Sequence, residues 1–108
     1  MSRATTVRLD LEALAYNFQR VKHAAPGCRI AAAVKADGYG HGLRRIATAL
    51  ADADAFAVAS LEEALELRDA GIKQRILLLE GVHESRELPE CSAHALDVVV
   101  HHLEQVRM

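Results

Sequence analysis

Aromatic residues make up only 4% of this 108-residue chain, and tryptophan is absent. That scarcity argues against a stacking platform for single-stranded nucleic acid. A block of one charge sign is missing too: 13 Lys and Arg stand against 15 Asp and Glu, for a net charge of −2. Nothing here forms the basic stripe that a nucleic acid or an anionic membrane would need. Long apolar runs are also lacking. Ile76–Leu79 and Val98–Val100 fall far short of the roughly 20 residues that cross a bilayer. The N-terminal Met-Ser-Arg-Ala-Thr-Thr has no apolar core of the signal-peptide kind, so a cytoplasmic protein is expected. Cysteine is nearly absent: Cys28 and Cys91 share no Cys-x-x-Cys spacing, which favours free thiols over a disulfide or a metal site. The adjacent His101 and His102 would face opposite ways in a strand, and His83 and His94 lie on other elements, so no metal site is expected.

What is present is a regular alternation. Thr5–Leu9 alternates polar and apolar residues like a half-buried strand, and Asp10 offers an N-cap for a helix whose face is Leu11, Leu14, Phe18 and Val21. Ala25-Pro26-Gly27 ends that helix. Ile30–Val34 then reads as a fully buried strand, followed by a helix burying Leu43, Ile46, Ala47 and Leu50. Ala55–Ala59 is the next strand. Ser60 and Glu63 form an S-x-x-E capping box for a helix that turns Leu61, Ala64 and Leu65 inward and stops at Gly71. Glu62, Glu63 and Glu66 read as its solvated face, with Arg68 or Lys73 as charge partners. Ile76–Leu79 is a third strand. A weaker helix containing Pro89 spans about residues 84–91, a fourth strand runs from Leu96 to Val100, and a last helix starts at His102.

Strands that recur every 20 to 25 residues or so, separated by amphipathic helices, imply α/β architecture with a parallel sheet covered by helices. Two closures compete: an open doubly wound sheet, or an eight-stranded barrel. A barrel takes about 200 residues or more, so on that reading about half of one is present here.

The most informative stretch follows the strand at Ile30–Val34. Lys35 stands at its C-terminal end, where parallel α/β folds place their ligands and where a lysine amine can serve as nucleophile or base. Gly38, Gly40 and Gly42 would let backbone amides approach a ligand closely, and a helix starting near His41 would point its N-terminus there. An anionic group beside an amine suits this arrangement. Neither the dinucleotide fingerprint nor the phosphate loop with its terminal Gly-Lys-Ser/Thr matches. Asp37 and His41 read as turn residues.

The nine residues Val34-Lys35-Ala36-Asp37-Gly38-Tyr39-Gly40-His41-Gly42 resemble the pyridoxal-phosphate attachment motif of alanine racemases, V-K-A-D/N-A/G-Y-G-H-G. Phe56–Ala59, Glu62–Ile72 and Ile76–Gly81 resemble the same family in order and spacing. The resemblance implies the N-terminal part of a (β/α)8 TIM-like barrel over residues 1–108, truncated, with the family's C-terminal β-domain absent. It further implies racemisation of L-alanine to D-alanine, for peptidoglycan precursor supply or alanine catabolism. Lys35 would carry pyridoxal 5'-phosphate as a Schiff base and act as one of two bases. Tyr39 matches the tyrosine that holds the cofactor phosphate, and Val34 and Leu79 are candidates to line the cofactor. The second base, a tyrosine from a partner subunit's β-domain in a homodimer, corresponds to neither Tyr16 nor Tyr39. Two alternatives stand beside this reading: a racemase of the same fold with a broader range of amino-acid substrates, and a truncated, non-catalytic cofactor-binding fragment. No racemisation is expected from the isolated chain.

Overall fold

The computed structural model describes residues 4–108. Helix α1, Leu11–Ala24, starts where Asp10 accepts a hydrogen bond from the Ala13 N–H at 3.0 Å. Glu12 in its first turn and Lys22 and His23 in its last complement the helix dipole. Phe18 is buried and Leu11 and Leu14 pack against the core, while Val21 stays 51% exposed. Thr5–Leu9 forms no strand. The segment finds no ladder partner among the described residues, and Val7 is 77% exposed.

Four parallel strands follow: β1 (Ala31–Ala33), β2 (Ala55–Val58), β3 (Arg75–Leu78) and β4 (Leu96–Val98). Their order in the sheet is β1-β2-β3-β4, with Ala33 level with Ala57, Val58 with Leu78, and Leu78 with Val98. A doubly wound sheet reverses strand order at a switch point. Here each strand lies beside its predecessor, the winding of a barrel.

The two faces of the sheet differ because side chains alternate. Ala32, Phe56, Val58, Ile76, Leu78, Leu96 and Val98 pack into one core with Leu43, Ile46 and Ala47 of α3 (Leu43–Ala49), Ala64 and Leu67 of α4 (Leu61–Asp69) and Cys91 of α5 (Leu88–Ala93). Burying side chains as completely as Phe56 or Leu67 contributes about 1.5–3 kcal/mol each. On the opposite face, Ala31 and Ala33 are exposed, so β1 is buried on one side only and not on both. That face also carries Arg75, whose Nε is paired with Asp97 across β3 and β4.

Several local details depart from expectation. In α4 the fully buried leucine is Leu67, with Leu65 only half-buried. Ser60 caps the helix through the Glu63 N–H at 3.3 Å, but the Glu63 carboxylate turns away from the Ser60 amide, so the reciprocal half of the box is missing. Arg68 does not pair with Glu66. Its guanidinium donates to the carbonyls of Gln74, Ile72, His94 and Ala95, tying the end of α4 to the turn before β4. Glu66 and Asp69 instead pair with Arg44 of α3. The region near Pro89 divides into a 3-10 turn at Ser85–Glu87 and α5, with the proline tolerated in the first turn. The last helix, α6, is Leu103–Arg107. Gly81, at φ +71°, sits so close to the Val99 carbonyl that a Cβ there would lie 2.3 Å from its oxygen.

Two predictions follow from these environments. Burial, and secondarily the nearby Glu87 charge, push the Cys91 thiol up, whereas Cys28 is exposed. Iodoacetamide at neutral pH should therefore label Cys28 well before Cys91. Equal rates by mass spectrometry would mean that α5 does not pack as described. The Glu87 carboxylate accepts the N–H groups of Glu84 and His83, at 2.9 and 2.7 Å, and they hold it below the usual carboxylate value. A lowered folded value gives stability that is present above the unfolded pKa of about 4.3 and lost as pH falls through the folded one. Glu87→Gln should flatten that acid-side loss in a series of Tm measurements against pH. Identical slopes would refute the assignment.

Candidate active site

The parallel register brings the C-terminal ends of all four strands to one rim. Val34 continues β1 by donating its N–H to the Ala57 carbonyl at 2.9 Å, and Leu79 continues β3 with an N–H bond to the Val58 carbonyl at 2.8 Å. Lys35 and Leu79 thus lie on the same rim, two strands apart, a span of roughly 10 Å at ordinary strand spacing. Val34 is 1% exposed, its side chain in the core beneath the lysine, while Leu79 is half-buried. His101 reaches the same rim and contacts the Leu79 carbonyl through Nε2 at 2.9 Å. Among the described residues no three His, Cys, Asp or Glu side chains gather as a metal site would require.

Immediately after Val34 the chain makes one compact turn, α2 (Lys35–Tyr39), in which Ala36, Asp37, Gly38 and Tyr39 have φ of +54°, +56°, +64° and +58°. This is a left-handed helical turn, and only one of those four residues is glycine. Each non-glycine residue in it costs roughly 1–2 kcal/mol. The turn is closed from within: Gly38 N–H bonds the Val34 carbonyl at 2.8 Å, Gly40 N–H the Ala36 carbonyl at 2.9 Å, and Gly42 N–H the Asp37 carbonyl at 2.9 Å.

These bonds correct the expectation that the three glycines offer amides to a ligand. Their N–H groups are committed to the turn itself. Gly38 is buried for a further reason, since a Cβ there would meet Ile46 Cγ1 at 3.1 Å. The helix that follows starts at Leu43, and its N-terminus is also in use: Asp37 Oδ1 accepts the Leu43 N–H at 2.8 Å. Asp37 is thereby a turn residue, as expected, with a long-range cap as its task. His41 is exposed beside Asp37, Gly40, Gly42 and Arg45 in an open cleft that also touches Val7, Leu9 and Leu11.

What the turn presents outward is side chains. Lys35 is exposed, and the ion pairs among the described residues, made by Arg44, Arg75, Arg86, Arg107, His83 and His94, do not involve it. Tyr39, four residues on, is 58% exposed. The residue the sequence reading missed is Glu63, taken for part of a solvated face. Its Oε2 accepts the Asp37 N–H at 3.1 Å and its Oε1 the Ala59 N–H at 3.0 Å. No local pattern reveals the first contact, since it joins residues 26 apart.

A parallel sheet wound in one direction, with an exposed amine just past its first strand, defines an α/β protein of the barrel class with a lysine-bearing rim. The sequence profile of the alanine racemase N-terminal domain matches residues 9–108, and the chain belongs to that family. It is 51% identical over 104 residues to the biosynthetic alanine racemase of Salmonella typhimurium, covering 96% of this chain and 29% of that relative's length. Alanine racemase from Acinetobacter baumannii superposes with a TM-score of 0.88 at 42% identity, over 91% of this chain and 29% of the other. A Bartonella henselae alanine racemase solved with covalently bound pyridoxal phosphate gives a TM-score of 0.80 at 26% identity, over 91% of this chain and 29% of the other.

The cap on α3 is open to direct test. Asp37→Ala should lower stability by about 1 kcal/mol, the usual cost of losing an N-terminal cap. Asp37→Asn, which keeps an oxygen at Oδ1, should recover most of it. A denaturant midpoint unchanged by the alanine variant would show that the Leu43 contact carries no stability.

Proposed function

We propose that residues 1–108 form one portion of the barrel domain of a pyridoxal-phosphate-dependent alanine racemase, in which Lys35 carries the cofactor and exchanges a proton with the substrate α-carbon on one face. The observation that carries this reading is the exposed Lys35 amine, held at the rim by a turn whose three glycine amides are bonded within it and which also presents the Tyr39 hydroxyl. The donor set fits the group. An amine suits an aldehyde carbon, and a phenol hydroxyl suits a phosphate oxygen. When bound, pyridoxal phosphate supplies an electron-withdrawing ring that makes the substrate α-hydrogen acidic.

The residues of this chain have distinct tasks in that reading. Lys35 forms the covalent link and then serves as a base whose position is fixed by the strand beneath it. Tyr39 donates to the cofactor phosphate. Leu79 borders the cofactor from the neighbouring rim, and Val34 does so from the strand end while its side chain anchors the lysine in the core. Inversion needs a second acid/base group on the opposite face. We assign it to a tyrosine of a partner subunit in a cytoplasmic homodimer, where D-alanine serves peptidoglycan synthesis or the reverse reaction serves catabolism. Relatives at about half identity over almost the whole chain support alanine over a broader set of amino acids.

Two measurements test the reading. Borohydride reduction of the complete, cofactor-loaded protein, followed by peptide mapping, should place the label on Lys35. Label on Lys22 or Lys73 would overturn the assignment. The 108-residue chain alone should show no racemisation of L-alanine. Activity in that sample, abolished by Lys35→Ala, would refute the need for a second base from outside it.

A further inference from the structure

The left-handed turn after Lys35 is strained, and one of its contacts comes from a distant element. Asp37 follows β1 closely, and its N–H is taken by the Glu63 carboxylate, one turn into α4. The other oxygen of the same carboxylate holds the Ala59 N–H, the first amide beyond the end of β2, which is the strand next to β1. Glu63 therefore spans the ends of two adjacent strands, with one oxygen on each. α4 itself cannot drift, because Ala64 and Leu67 are fully buried against β2 and β3 and the Ser60 hydroxyl caps its first turn.

We propose that Glu63 is a positioning residue for Lys35: by bonding the Asp37 N–H from a fixed helix it locks the left-handed turn, and with it the direction in which the lysine amine leaves the rim. This rests on the reading of Lys35 as the cofactor lysine. A carboxylate suits the task better than an amide because it can accept both N–H groups at once, whereas glutamine has a single acceptor oxygen. Charge also strengthens each bond.

The experiment compares Glu63→Ala, Glu63→Gln and Ser60→Ala in the complete protein, with pyridoxal 5'-phosphate as the probe. Ser60→Ala removes the cap of the same helix while leaving the bridge intact, so it reports a purely structural loss. Glu63→Ala should weaken cofactor binding about tenfold or more, in keeping with the loss of charge-assisted hydrogen bonds. The fraction of Lys35 fixed by borohydride at limiting cofactor should fall with it. Glu63→Gln should lie between, at roughly threefold. Ser60→Ala should lower Tm, as loss of a helix cap does, yet leave the cofactor dissociation constant within about twofold of the parent, since both Glu63 bonds remain.

An unchanged dissociation constant in Glu63→Ala, with Lys35 labelled in the parent, would overturn the role of Glu63 and leave the proposed function standing. An equal loss in Ser60→Ala would overturn it as well, by showing that helix stability alone is responsible. If Glu63→Ala does not fold, Glu63→Gln decides by the same readouts, and parental cofactor affinity there counts against the role. Failure to label Lys35 in the parent overturns both this inference and the reading beneath it.

Discussion

The left-handed turn between β1 and α3 is the constraint around which the rest of the rim is arranged. Ala36, Asp37 and Tyr39 each take a conformation that an L-residue avoids, for a combined cost of about 3–6 kcal/mol. Against this stand the N–H groups of Asp37, Gly38, Gly40, His41, Gly42 and Leu43, each bonded within the turn or to a carboxylate beside it. At about 1 kcal/mol net apiece these bonds are of the same order as the strain. A balance that close means the turn persists only while its supports do. Gly38 adds a steric condition, because its missing Cβ is what lets Ile46 of α3 close over the turn.

Those supports come from the sheet and its helices. Val34 is locked to Ala57 and sunk in the core, so the turn starts from an immobile point. α3 is fixed on its other side by Arg44, which reaches Glu66 and Asp69 of α4, and α4 in turn is held by Arg68 on four carbonyls at its far end. The surface ion pairs contribute little energy individually. Their effect here is geometric, since they keep α3 and α4 side by side, and the distance between these two helices decides whether Glu63 can meet Asp37.

The strands and helices were readable because their signals are local and periodic. The cap at Asp10, the stop at Gly71 and the sequence of buried strands follow from patterns within a few residues. The family was readable for the same reason, from one contiguous stretch around Lys35. Contacts that cross elements were not. Glu63 has the sequence signature of a capping box, yet its carboxylate is shared between the nearby Ala59 N–H and the Asp37 N–H, 26 residues away. The glycines of the motif suggested amides free for a ligand, whereas a left-handed turn consumes them internally. Thr5–Leu9 has the alternation of a strand, yet alternation supplies no partner, and none pairs with it among the described residues.

An amine that is to attack a carbonyl carbon must be free of its proton, and a neighbouring carboxylate opposes that by favouring the charged form. The two carboxylates bonded to this turn and its exit, Asp37 and Glu63, both accept from backbone amides: Asp37 from Leu43, Glu63 from Ala59 and from Asp37 itself. The negative charge that fixes the lysine's backbone is thus aimed at N–H groups and makes no ion pair with its amine. Elsewhere on the surface Arg44, Arg75, Arg86 and Arg107 are all matched with acids. On the proposed reading of Lys35 as the cofactor lysine, these acids brace the turn without making an ion pair with its amine, so the lysine is held rigidly with no fixed counter-charge.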